Sequence, residues 1–358
     1  MRVLFWVPYP TEGASNRYRI EQYLPYLKKG GINYFLHPFW SSSAFKILYK
    51  TGRHFTKFYY FILGTVYRIF DLVRIFRYDI VFIHREAYPI GGAFFETILS
   101  IFKKPFIFDF DDAIFLPASS PSNNFIERFK KPDKLATIIT KSKYVIAGNP
   151  YLADFALQYN PRVCVIPTPI DTVNYYPNDK KHSDEVVIGW MGSTTTSHFL
   201  NMMRDTFIIL SKRFPHIKIK VVGSNFSIKG LSNIISKPWS LKEEIEDLRT
   251  FDIGIMPMPD NVWTNGKCGF KAILYMSMGI VCVCSRVGVN KEIITDGVNG
   301  FLADKEDEWI KKLSFLIEDP ELRQRIAIAG RRTIEDKYSI NVNAPKFLEI
   351  IYYTRRKS

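Results

Sequence analysis

Residues 252–285 read DIGIMPMPDNVWTNGKCGFKAILYMSMGIVCVCS. Two apolar runs of strand length, DIGIMPM and IVCVCS, flank AILYMSMG, which has the apolar spacing and closing glycine of a short helix. Strand, helix, strand in that order, with strands apolar on both faces, predicts a βαβ unit in a parallel sheet covered on both sides. The same rhythm extends through the second half, where VVIGWMG, IKIKVVG and NIISKPW are strands and helices begin near Ser197, Leu241, Gly269 and Lys305. It also fills the first half, with strands RVLFWV, YDIVFI, PFIFDF, KYVIAG and VCVIP and a helical stretch NRYRIEQYLPYLKKGG. The expected class is α/β, as two Rossmann-like, doubly wound parallel-sheet domains facing each other across a cleft. At 358 residues the chain is long enough for two cores. The domains are expected at 1–176 and 186–339, joined by a polar linker at 177–185, with a helix over 340–358 crossing back to the first.

The 49 lysines and arginines exceed the 35 aspartates and glutamates by 14. Such a field attracts phosphates, whether on nucleic acid, a bilayer or a small ligand. The cations fall at strand ends and on one aromatic segment rather than along a recognition helix, so no nucleic-acid partner is expected. That segment, 44–78, carries Lys46, Lys50, Arg53, Lys57, Arg68, Arg74 and Arg77 among aromatics. Its longest uncharged run, FYYFILGTVY, is about half of the roughly 20 residues that span a bilayer. It is expected to lie on an anionic membrane surface; the alternative is packing of the aromatics on the first sheet. Cys164, Cys268, Cys282 and Cys284 have no metal-type spacing and read as small buried hydrophobes in a reducing compartment. Pro8 cuts MRVLFWVPYP short of a signal-peptide core, so that run reads as a first strand. The expected location is cytoplasmic, peripheral on the inner face of the plasma membrane.

In open parallel sheets, ligands gather at the carboxyl ends of strands. In the second half, strand VVIGWMG runs into STTTSHFL. Gly192 permits a tight turn, and Ser193 and Thr194 with the following hydroxyls precede a helix, where a phosphate is favoured; an N-cap accounts for one or two of them. No G-x-G-x-x-G or G-x-x-x-x-G-K-[ST] occurs, which argues against a dinucleotide-dependent dehydrogenase and a P-loop ATPase. Lys267 and Lys271 stand before or within the first turn of the next helix, where the helix dipole disfavours a cation unless an anion is near. They mark a diphosphate site. In the first half, Gly13 permits close approach, and Arg17 and Arg19 again place cations at a helix start; an Arg17–Glu21 pair is the structural alternative for Arg17. Asp109, Asp111 and Asp112 leave an apolar strand together and require a cationic or protic group among them. His84, Arg85 and Glu86 end the neighbouring strand.

The stretch GFKAILYMSMGIVCVCSRVGVNKEIITDGVNGFL resembles the donor-site signature of the GT-B family 4 glycosyltransferases. VVIGWMGSTTTSHFL and KPWSLKEEIEDLRTFDIGIMPM are similar to other parts of that donor domain, and ASNRYRI, FDFDDAIF, AGNPYLADFA and VIPTPID extend the likeness over the first half. The resemblance implies a GT-B fold, a UDP- or GDP-sugar donor on the second domain, a glycan or lipid-linked acceptor on the first, and sugar transfer with retention, without metal or other cofactor. It implies a donor site of Gly192, Ser193, Thr194, Lys267, Lys271, Gly288, Val289, Asn290 and Glu292. Asp111 and His84 would orient the acceptor hydroxyl, Lys271 would stabilise the leaving diphosphate, and Gly13, Arg17, Arg85, Asp109, Asp112 and Asn149 would line the acceptor side. The family's two glutamates, eight residues apart, correspond here to Gly266 and Leu274, so ribose recognition is remade or lost. The expected role is cell-surface polysaccharide biosynthesis; the alternatives are a catalytically weak nucleotide-sugar-binding subunit and a GT-B epimerase.

Overall fold

The computed structural model describes residues 1–48, 50, 52–116, 133–177 and 185–356. The chain forms two compact units, residues 1–169 with 340–358, and residues 170–339. Most of the polar linker lies outside the described residues. The first domain was expected to reach 176, but residues 170–176 pack with the second unit. The Arg331 guanidinium donates to the Thr172 carbonyl at 2.8 Å and to that of Tyr175 at 2.5 Å, and the Tyr175 hydroxyl donates to Glu244 at 2.7 Å.

In the first unit, β1 (Arg2–Val7), β2 (Asn33–Pro38), β3 (Ile80–His84), β4 (Phe106–Phe110), β5 (Tyr144–Ala147) and β6 (Val163–Val165) form a parallel sheet in the order β2-β1-β3-β4-β5-β6. Phe5, Phe82 and Ile107 are fully buried in its core. The helix Ile340–Arg356 covers them, with Phe347 stacked on Tyr23 at a centroid distance of 4.0 Å. In the second unit, β7 (Val186–Met191), β8 (Ile217–Val222), β9 (Ile234–Lys237), β10 (Ile253–Met256), β11 (Val281–Ser285) and β12 (Phe301–Ala303) order as β12-β11-β10-β7-β8-β9. Cys282 and Cys284 are buried in β11. Strand order reverses beside β1 and β3 in one sheet and beside β7 and β10 in the other, the positions where ligand crevices form. The edge strands β2 and β12 escaped the sequence reading. One is largely exposed and the other has three residues, so neither shows a long apolar run.

The helix His54–Arg74 packs with Gly64, Arg68 and Asp71 inward. Asp71 accepts from the Trp6 indole at 2.9 Å, meets His37 Nδ1 at 2.5 Å and pairs with Arg68 at 3.4 Å. Arg68 also donates to the Ala87 carbonyl at 3.0 Å and lies over the Trp6 ring. These bonds hold Arg68 and Asp71 inside while Phe55, Phe58, Tyr67, Phe70 and Val73 remain exposed. No helix among the described residues is long and apolar enough to cross a membrane.

Candidate active site

In the second unit, β7 ends at Met191 and Gly192 opens the turn. A Cβ at Gly192 would sit 2.7 Å from the Trp190 ring and 2.8 Å from Lys271 Cε, so only glycine leaves room for the lysine. The expected α-helix after the hydroxyl-rich stretch is instead a 3₁₀ segment, Ser197–Met203, and α-helix begins at Arg204. The hydroxyls account for the difference. The Ser193 and Thr195 hydroxyls hydrogen-bond at 2.6 Å, Ser197 Oγ donates to the Thr194 carbonyl at 3.1 Å, and the amides of Thr196 and Ser197 both bond the Ser193 carbonyl. Such local bonds compete with α-helix. The turn nevertheless leaves Ser193 and Thr194 exposed.

Lys271 lies in the first turn of the helix Phe270–Ser277. Its Nζ is 3.5 Å from Thr196 Oγ1 and 5.4 Å from the Trp190 ring centroid. Burial first, and then Lys267, push its pKa down to about 8; only the Cys284 thiol acts the other way. Lys267 Nζ sits 3.6 Å from the Trp263 ring centroid, a cation–π contact. The loop carrying it is pinned by a reciprocal cap. The Asn261 side chain accepts from the Thr264 amide at 2.9 Å, and the Thr264 hydroxyl accepts from the Asn261 amide at 3.1 Å. Two cations thus repel each other beside aromatic faces, an arrangement that an anion would relieve.

The remaining donor-side residues divide. Gly288 takes a left-handed φ of 50°, with Val289 half-buried beside it. Asn290, expected as a ligand, is fully buried and donates to the Ser285 carbonyl at 3.0 Å. Its amide braces the turn. Glu292 is exposed, and partial burial raises its pKa. Leu274 is buried in the helix core and Gly266 in the loop, so neither position offers a carboxylate to a ribose.

In the first unit, the register of β3 against β4 pairs His84 with Asp109. His84 is fully buried, its Nδ1 2.6 Å from Asp109 Oδ2. Its Nε2 makes no hydrogen bond and lies 3.9 Å from Asp111 Oδ1. Asp109, expected on the acceptor side, is buried and committed. Arg19 Nε donates to its Oδ2 at 3.3 Å, Arg19 Nη2 donates to its Oδ1, and Arg19 Nη1 donates to the Ile166 carbonyl at 2.6 Å. Arg19 is therefore a buried brace; burial alone would lower its pKa, but Asp109 raises it.

Arg85 adopts a left-handed φ of 63°, a conformation that costs a non-glycine residue energy and often marks functional sites. This aims its Nε at Asp111 Oδ1, 2.7 Å away, and puts its Nη2 3.9 Å from Asp112. Burial would raise the Asp111 pKa, but Arg85 and then His84 hold it well below the usual carboxylate range. Such a carboxylate accepts a hydrogen bond from a hydroxyl but takes up no proton near neutrality. Glu86 is turned away to Lys134, 2.8 Å distant. Asn149, also expected on the acceptor side, is buried and caps the helix Pro150–Leu157 by accepting from the Leu152 amide at 2.9 Å. Arg17 donates to the Thr11 carbonyl at 3.2 Å and lies over the Tyr18 ring, while Glu21 accepts from Thr11 and Asn16. At Gly13 a Cβ would meet that of Tyr9 at 2.5 Å. The sequence reading missed Trp190 and Trp263, whose only signal was their place beside the singled-out glycine and lysines, whereas Thr196 belonged to the hydroxyl run it had counted.

Residues 185–319 match the family model described as glycosyl transferases group 1. A comparison with curated protein sequences gives no significant match. Among solved structures, a glycosyltransferase from Rickettsia africae ESF-5 is similar with a TM-score of 0.71 at 17% identity, covering 100% of this chain and 99% of that one. Anabaena HepE in complex with UDP-glucose is similar with a TM-score of 0.70 at 15% identity, covering 99% and 100%. Sucrose-phosphate synthase from Thermosynechococcus elongatus gives a TM-score of 0.68 at 12% identity, covering 100% and 99%. At these identities the structural likeness establishes the fold. The chain therefore has the GT-B fold, and its residues 185–319 match the glycosyl transferases group 1 model.

Proposed function

We propose that the protein is a retaining glycosyltransferase that moves a sugar from a nucleoside-diphosphate sugar to a glycan or lipid-linked acceptor, in cell-surface polysaccharide biosynthesis. The observation that carries this reading is the half-buried Lys271, depressed to a pKa of about 8 beside Lys267. A diphosphate between the two lysines would restore the charge of Lys271 and leave more readily for it. Solved HepE structures hold UDP-glucose or UDP and glucose, which supports a UDP-sugar as the first donor to try. We assign donor contacts to Gly192, Ser193, Thr194, Lys267, Lys271 and the Gly288–Val289 turn. His84 Nε2 and the ionised Asp111 orient the acceptor hydroxyl. The lysines supply the charge that a metal would otherwise bring, so transfer is expected to continue in excess EDTA.

The test is a thermal-shift panel of UDP-, GDP- and ADP-sugars, followed by assays of donor hydrolysis and transfer. No stabilisation by any of them in the wild-type protein sinks the reading. Gly192→Ala, which pushes Lys271 aside, is expected to weaken UDP binding about tenfold, roughly 1.4 kcal/mol. The absence of a carboxylate at Gly266 and Leu274 favours one alternative, a subunit that binds the nucleotide-sugar and turns over little; binding without transfer or hydrolysis would identify it.

We further infer a peripheral place on the inner face of the plasma membrane, through residues 44–78. The exposed aromatics of the helix His54–Arg74, with Lys46, Arg53, Lys57, Arg74 and Arg77 around them, support an anionic membrane surface as the partner. Phe55, Phe58 and Val73 are 93%, 63% and 73% exposed. Replacing all three with serine removes several kcal/mol of apolar burial, at roughly 1.5–3 kcal/mol per side chain. Flotation with anionic vesicles is expected to fall at least tenfold, and unchanged flotation would remove the membrane from the reading.

A further inference from the structure

Beside the helix His54–Arg74 the first unit holds a cavity of about 360 Å³, walled by Thr65, Ile69, Tyr88, Ile90, Phe94 and Phe95. That volume falls within the range of small-ligand sites, roughly 300–1,000 Å³. The polar side chains of its wall are already engaged. Thr65 donates to the Phe61 carbonyl at 2.8 Å, and its hydroxyl is 3.2 Å from that of Tyr88. A buried water needs about two to four polar partners, so this lining favours an apolar occupant.

The cavity belongs to an apolar surface. Two of its lining residues, Ile69 and Phe94, are 51% and 62% exposed, so it opens to the outside beside them. The surface continues where the Phe76 and Phe102 rings meet edge to face at 5.5 Å, joining the end of the first helix to the end of the helix Phe94–Ile101. The charges on these elements are one-sided. Arg53, Arg74, Arg77 and Lys103 are exposed, whereas the two carboxylates, Asp71 and Glu96, are buried, one on Arg68 and the Trp6 indole, the other accepting from the Ala87 amide. An exposed apolar face rimmed by cations, with every carboxylate turned inward, is complementary to an anionic lipid surface.

We propose that this cavity takes one hydrocarbon chain of a phosphate-bearing lipid drawn from that surface. The inference rests on the membrane reading above and deepens it, naming a lipid chain as part of what the first unit recognises. Two sources share this chemistry, the tail of a lipid-borne acceptor and an ordinary phospholipid of the bilayer.

The test is equilibrium binding of a fluorescent fatty acid to the full chain in detergent-free buffer. Saturable binding is expected, and Ile69→Trp, which fills the cavity from a half-exposed position, is expected to weaken it at least tenfold while far-UV circular dichroism stays unchanged. Phe94→Ser, on the other helix, is expected to weaken it severalfold. Displacement by farnesyl phosphate at lower concentration than palmitate points to an acceptor tail; equal displacement points to bulk lipid. Absence of saturable binding, or equal binding by wild type and Ile69→Trp, overturns the proposal. The assay contains no sugar donor, so its failure leaves the glycosyltransferase reading standing, and failure of the donor panel leaves the cavity in place.

Discussion

Lys271→Met is expected to lower sugar transfer about a hundredfold or more while raising the thermal stability of the unliganded protein. The loss follows from the general worth of one preorganised charge at a developing oxyanion, about 10²–10³ in rate. The gain follows from burial. Desolvation and Lys267 both disfavour the Lys271 ammonium, and methionine fills similar space without a charge. A residue kept only for packing would show no activity loss; a residue paired for stability would show a loss of both.

The same lysine predicts a pH profile. Its folded pKa of about 8 lies below the unfolded value of roughly 10.4, so between those values the unfolded chain holds the proton and the folded one does not. The unliganded protein should therefore gain stability as pH rises from about 8 towards 10, and the gain should vanish in Lys271→Met. Diphosphate binding has the opposite slope, because it requires the protonated amine. UDP affinity is expected to fall by up to about tenfold per pH unit above pH 8, where the phosphates, with a last pKa near 6, are already ionised. Calorimetric titration at pH 7, 8 and 9 reads this directly, and a flat wild-type profile would exclude Lys271 from the diphosphate site.

The second large effect concerns stability. Asp109→Ala is expected to cost about 3–5 kcal/mol, because it strands the buried Arg19 guanidinium and removes the partner of His84 Nδ1. Urea denaturation measures it. The double variant Arg19→Met with Asp109→Leu should recover much of the loss, since an apolar pair tolerates the site that a lone charge does not. A single-variant cost below about 1 kcal/mol would mean that Asp109 is solvated and open to ligand.

The contrast between Lys271 and Asp109 shows how far the chain could be read before folding. Both are ionisable residues near strand ends, and both were assigned to the site. Lys271 is left with Lys267 pushing its pKa down; Asp109 is consumed by an arginine 90 positions earlier and a histidine 25 positions earlier. Asn149 and Asn290 were read as site residues from their motifs, yet one caps a helix and the other braces a turn. No local pattern distinguishes an amide that faces ligand from one that faces its own backbone.

Alternating apolar runs, turn glycines and the order of strands and helices needed only neighbouring residues to specify two parallel sheets and the strand ends where chemistry collects. Those are short-range properties, set by backbone periodicity and by which side chains avoid water. Which charges stay available, and which way the helix His54–Arg74 turns its aromatic face, depended on partners far along the chain. Trp6 and Asp71 are 65 residues apart, and only folding brings that indole and carboxylate into the bond that helps hold Asp71 and Arg68 inside and leaves the helix's aromatic face outside.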